Sequence, residues 1–160
     1  MTLLLMVMLC AAPVVVVDGE LIKGASLSVK ELQAIGAVTI DWSDKRGAHK
    51  VTGVRLDKVL LWLGFTEGAT GPQVDPKVKH QGLRGAVIAT AADGFEAVFS
   101  IGELLETLGA TTALIVWEMD GQPLAPNLGP FRLVVSTDKG SSRALHQLTS
   151  LRVVSLKMRR

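Results

Sequence analysis

The sequence predicts an α+β domain, because strands and helices are mixed without the regular βαβ alternation of a parallel sheet. Three features carry this reading: a β-branched run at Val14 to Val17, two Ser-x-x-Glu boxes that each open a short apolar stripe, and Asp93-Gly94 set between two apolar runs. An Asp-Gly pair so placed is a strong hairpin signal, and hairpins pair antiparallel.

The elements follow in order. Val14 to Val17 reads as a strand closed by Asp18-Gly19, with a second strand at Glu20 to Lys23. Ser28 and Glu31 form a capping box for a helix whose apolar face is Val29, Leu32 and Ile35, stopped at Gly36. Val38 to Trp42 alternates as a strand, Lys45-Arg46-Gly47 turns, and His49 to Gly53 returns. Leu56 to Leu63 is a second helix with Leu56, Val59, Leu60 and Leu63 on one face. Thr66 to Gly85 is irregular and rich in Gly and Pro, with a short strand expected near Val74 to Val78. Ala86 to Ala92 and Phe95 to Phe99 form the hairpin, and Ser100 with Glu103 caps a helix carrying Leu104, Leu105 and Leu108. Thr112 to Glu118 is a buried strand, Asp120-Gly121 turns, and Phe131 to Ser136 and Leu151 to Leu156 are strands with a short helix between them.

The totals bound the function. At 160 residues the chain suits a single domain over residues 14–160, large enough for a real core. Its 17 basic and 15 acidic residues are scattered, so no field recruits nucleic acid, and the basic tail at 157–160 reads as a solvated end. The apolar start, residues 1–13, is too short to span a bilayer. It reads as an export signal ending near Cys10-Ala11-Ala12, or a disordered leader, which makes the mature protein periplasmic or otherwise exported. The alternative is a mis-assigned start and a cytoplasmic protein. Cys10 is the one cysteine, and His49, His80 and His146 lack partners at ligand spacing, so no metal site is predicted.

No catalytic residue can be assigned. There is no nucleophile elbow, no phosphate-cradling glycine loop, and Glu103 with Glu106 reads as a solvated helix face. The stretch from Gly129 to Leu148 is the informative one. Arg132 opens an otherwise apolar strand, where a long cation needs a carboxylate or an anionic ligand. The strand empties into Ser136, Thr137, Asp138, Lys139, Gly140, Ser141, Ser142 and Arg143, which suits a phosphate or a heterocycle with hydrogen-bonding edges. A polar surface loop with Arg132 paired to a carboxylate explains the same residues.

Four motifs stand in order: Gly53-Val54-Arg55-Leu56, Asp93-Gly94-Phe95, Asp120-Gly121-Gln122-Pro123-Leu124 and Gly129-Pro130-Phe131-Arg132. Together, over Val15 to Leu156, they resemble the molybdopterin-binding domain of sulfite-oxidase-type oxidoreductases. The resemblance implies that family's mixed, largely antiparallel fold with short helices and a pocket for a pterin or molybdopterin derivative. It also implies a cysteine thiolate on molybdenum just before the first motif, where this chain reads VTIDWSDKRGAHKVTG. Ser43 offers only a hard oxygen there, Phe95 replaces a tyrosine, Ser136 a proline, and Ala144 stands where an aromatic is common.

The expected function is therefore a pterin-binding module without redox turnover, carrying no molybdenum, by analogy a periplasmic sensor with a membrane-bound signalling or redox partner. Its alternatives are a molybdenum-dependent oxidoreductase with an unusual ligand set or a partner subunit, and an interaction scaffold with a vestigial pocket. The ligand-binding candidates are Trp42, Arg132, Asp138, Lys139, Ser141, Ser142 and Arg143, with both arginines expected to converge on one pocket. Arg143, on a polar segment, is expected to tolerate substitution. Trp42 can stack on a flat ring, Trp117 reads as core or ligand-facing, and Trp62 as structural.

Overall fold

A computed structural model describes residues 11–69, 71–75, 79–109 and 111–156. Two five-stranded sheets carry the fold. The first runs β2 (Ala25–Ser28), β1 (Val14–Gly19), β10 (Leu148–Ser155), β5 (Gly85–Ala91) and β6 (Glu96–Ser100), with β1 parallel to β10 and the other pairs antiparallel. The second runs β3 (Ala37–Asp44), β4 (Gly47–Arg55), β7 (Ala113–Met119) and the two-residue β8 (Gln122–Pro123), while β9 (Arg132–Val135) also pairs β7. Three short helices, α1 (Val29–Gly36), α2 (Leu56–Trp62) and α3 (Ile101–Leu104), complete the α+β architecture.

Side-chain alternation divides the second sheet between two cores. Ala113, Ile115 and Trp117 of β7 and Leu133 and Val135 of β9 join the main core, which the first sheet and the helices close with Val15, Leu32, Leu60, Phe99 and Leu151. The intervening residues, Leu114, Val116 and Val134, face the other way and pack with Trp42 and Val51 in a smaller core. Arg132 lies opposite Val116 in the β9–β7 register and shares that second face. Trp117 is a main-core residue.

Gly53 and Gly19 are among the glycines that sterics require. A Cβ on Gly53 would lie 2.4 Å from the Ile115 carbonyl oxygen, where β4 bulges against β7. Gly19, at φ +142°, lets the chain leave β1 against Val153, whose carbonyl oxygen a Cβ would meet at 2.0 Å.

Most elements match the sequence reading. The Ser28–Glu31 capping box forms, and Ser100 Oγ accepts from the Glu103 N–H. Five expectations need correction. The helix opened by Ser100 ends at Leu104, because Leu105 takes an extended backbone, so Leu105 and Leu108 lie beyond it and Leu108 is exposed. The strand after β1 is Ala25–Ser28, because Glu20 N–H and Lys23 N–H bond Val153 and Leu63 carbonyls in a longer turn. No helix forms between β9 and β10: Leu133 and Leu145 exchange both backbone hydrogen bonds, 2.9 and 3.0 Å, which holds that segment extended beside β9. Val74 and Asp75 are not in a strand, and residues 76–78 lie outside the described residues. Trp62 is 56% exposed, one position off the buried face of α2 formed by Leu56, Val59, Leu60 and Leu63. The leader at 1–10, with Cys10, and the tail at 157–160 also lie outside the described residues.

Candidate functional site

The β3–β4 hairpin and the loop after β9 meet over the second face of the sheet. They enclose a cleft of about 610 Å³, lined by Asp41, Trp42, Ser43, Asp44, Lys45 and Ala48 on one side and Ser136, Asp138, Lys139, Gly140 and Ser141 on the other. A smaller pocket of about 150 Å³ shares Asp44, Lys45 and Ser141 with the cleft and adds Arg46, Arg132, Ala144 and His146. The strand pairing explains the meeting: β3 reaches the cleft through β4 and β7, and β9 reaches it from the far side of β7.

Arg132 is buried, 3% exposed, with its guanidinium 4.6 Å from the Trp42 ring centroid. Trp42 thus gives one ring face to a cation and also stands among the cleft's lining residues. Arg132 Nη2 lies 3.5 Å from Asp44 Oδ2, and Arg132 Nε is buried with no hydrogen-bond partner. A buried donor left unpaired is rare and costly, so it marks a place built for something further.

Electrostatics favour an anion. Burial pulls the Arg132 guanidinium below its ordinary range, opposed by Asp44, and it stays a cation because arginine keeps its proton in proteins. Burial also pushes the Asp44 carboxyl up, yet the Arg46 backbone N–H, Arg132 and His49 together outweigh burial and hold it below the usual carboxylate value. Each carboxylate lining the cleft has its own cation: Asp41 with Lys50 at 2.9 Å, Asp44 with Arg132 at 3.5 Å, Asp138 with Arg143 at 2.7 Å. Among the described residues, Lys45 and Lys139 have no such partner. His146, beside Arg132, has its pKa lowered, first by burial and then by Arg132 and Arg46. Neutral imidazole there can donate or accept.

Trp42, Arg132, Asp138, Lys139 and Ser141 therefore line the cleft or its side pocket, while Ser142 and Arg143 line neither. The expected convergence of the two arginines does not occur. Arg143 turns away, giving Nε and Nη2 to Asp138 at 2.9 and 2.7 Å and Nη1 to Glu103 at 3.0 Å, over the Phe99 ring at 4.7 Å. The hydrogen bond to Asp138 is the main reason its pKa is raised. Sequence reasoning missed Asp44, Lys45, Arg46 and His146. Asp-Lys-Arg-Gly reads only as a turn, and its place beside Arg132 depends on strand register.

Among the described residues no cluster of His, Cys, Asp or Glu could hold a metal ion, and no helix is long and apolar enough to cross a membrane. The sequence model of the oxidoreductase molybdopterin binding domain matches residues 28–157. The chain is also similar in fold to the sulfane dehydrogenase SoxCD from Paracoccus pantotrophus, with a TM-score of 0.66 and 13% identity over 90% of this chain. The chain spans 38% of the length of that protein. No curated protein sequence matches it.

Proposed function

Because the chain belongs to the oxidoreductase molybdopterin-binding domain family, we propose that it holds a pterin or molybdopterin derivative in the cleft between the β3–β4 hairpin and the loop after β9, without turning it over. The observation that carries this reading is the unpartnered Nε of Arg132, buried beside a cleft whose carboxylates are already neutralised. Arg132 and Lys45, with His146, are placed to take an anionic group such as a phosphate. Ser141, Lys139 and Trp42 would meet the heterocycle in the larger cleft.

The residues fit the organic part of the cofactor and not its metal. β3 and its turn bring Asp41, Trp42, Ser43, Asp44 and Lys45 to the cleft, so this wall supplies oxygen and nitrogen but no thiolate. Molybdenum of the kind this family carries calls for a soft sulfur donor from the protein. By analogy with stand-alone binding modules, the role proposed for such a chain is a ligand sensor that reports to a membrane-bound partner. The likeness to a dehydrogenase favours a second reading, a molybdenum oxidoreductase completed by a partner subunit.

Titration of neopterin into the purified protein, followed by the change in pterin fluorescence, tests the first reading. Saturable binding at one equivalent is expected. No binding by correctly folded protein would leave the cleft vestigial and the chain an interaction scaffold.

A further inference from the structure

Arg132 does not use its best hydrogen-bonding edge. Nε and Nη2 lie on one side of a guanidinium and together form the fork that grips an oxyanion with two parallel bonds. Here Nε has no partner and Nη2 has a single distant one, Asp44 Oδ2 at 3.5 Å. That distance is at the outer limit of a hydrogen bond, so the pair is chiefly an electrostatic neutralisation.

Asp44 is held where it is by its own hairpin. Its Oδ1 accepts the Arg46 backbone N–H at 2.8 Å, and His49 Nε2 stands 3.9 Å away. His49 is fixed in turn through Nδ1 to Asp120 Oδ2 at 2.8 Å, and Asp120 Oδ1 accepts the Lys50 backbone N–H, also at 2.8 Å. The hairpin is thus fastened to the turn between β7 and β8 without the help of Arg132. An anion arriving at the Arg132 fork would meet a carboxylate that is already anchored. Asp44 also lines both the large cleft and the side pocket, so it stands where they join.

We infer that Asp44 is a specificity-determining residue of this site: a built-in carboxylate that competes with an incoming oxyanion for the Arg132 fork, so that anionic ligands bind against it and uncharged ones do not. The inference rests on the reading of the cleft as a ligand site with Arg132 at its anionic end. Asp44 sets how strongly the site prefers a phosphorylated ligand over an uncharged pterin.

The experiment compares wild type with Asp44→Asn and Asp44→Ser, both of which can still accept the Arg46 N–H. Inorganic phosphate is titrated calorimetrically, neopterin is titrated alongside as the uncharged ligand, and the melting temperature of each protein is recorded. Removing the carboxylate is expected to tighten phosphate binding about ten-fold in both variants, as loss of a like charge a few ångströms away should, and to change neopterin affinity far less. Phosphate binding that is unchanged or weaker in folded variants would overturn the inference. So would an equal gain for neopterin, since Asp44 would then act by bulk, or the failure of both variants to fold, since Asp44 would then be a structural partner of Arg132. Failure of neopterin to bind wild type, with phosphate still tightened by Asp44→Asn, would remove the pterin reading and leave the carboxylate's competition with anions standing.

Discussion

Arg132→Met is expected to weaken binding of a phosphorylated pterin roughly ten- to a hundred-fold, equivalent to about 1.5–3 kcal/mol for the loss of a charge-assisted hydrogen bond. Methionine is long and apolar enough to cover the Trp42 ring that the guanidinium covers at 4.6 Å. The substitution also removes an unpaired buried donor, but it takes away only one member of the Arg132–Asp44 pair, and a carboxylate left without its cation costs stability where it is buried. Asp44 loses its cation but keeps the Arg46 N–H and borders the open cleft, where water can reach it. The melting temperature should therefore fall, by less than for a fully enclosed carboxylate, while affinity falls in the protein that stays folded. Arg132→Ala is the poorer probe, because it leaves a void against Trp42 and couples instability to lost binding. Unchanged affinity for the phosphorylated pterin in folded Arg132→Met would place the anionic end elsewhere.

Arg143→Ala should give the opposite pattern. The sequence places this residue on a polar segment, where a substitution usually changes stability by about 0.5 kcal/mol or less. The structure corrects that expectation. Arg143 is a clamp: its guanidinium joins Asp138, in the loop after β9, to Glu103 in α3, and it stacks on Phe99 of β6. With 32% of the side chain exposed, solvent screens these bonds. A loss of about 1–2 kcal/mol is a reasonable expectation for a network of three bonds and a ring contact. That corresponds to a fall of roughly 2–8 °C in melting temperature for a domain of this size. Arg143→Lys should recover only part of it, since an ammonium cannot reproduce the fork to Asp138. Affinity for the phosphorylated pterin should change far less than in Arg132→Met. A variant that melts like wild type yet loses neopterin would show that Arg143 points into the site after all.

The difference between these two arginines shows where the sequence could be read and where it could not. Both stand in the same polar stretch, and residue type alone predicts ligand contact for both. What separates them is tertiary. Arg132 shares a sheet face with Trp42 through a β3–β4–β7–β9 register that spans most of the chain. Arg143 finds Glu103, forty positions back, only because α3 follows the β5–β6 hairpin to that place. Local signals fared better where the physics is local. The Ser28–Glu31 box and the Asp93-Gly94 hairpin are each decided by neighbouring residues. Asp44 was invisible for the converse reason: within the hairpin it is one more polar turn residue, and its chemistry begins only when β9 sets Arg132 beside it. Trp62 misleads by period, since an aromatic beside a helical stripe reads as part of the stripe until the helix face is fixed by packing.

On the proposed function the domain holds a pterin in a cleft whose lining offers no thiolate to a metal. The most direct measurement is the ratio of molybdenum to pterin in protein purified from a molybdenum-replete host. Metal is read by elemental analysis, and pterin by fluorescence after release from the same sample. Pterin approaching one equivalent with molybdenum far below it is the expected result. Molybdenum equal to pterin, near one equivalent of each, would contradict the claim and identify the chain as a molybdenum-carrying oxidoreductase domain.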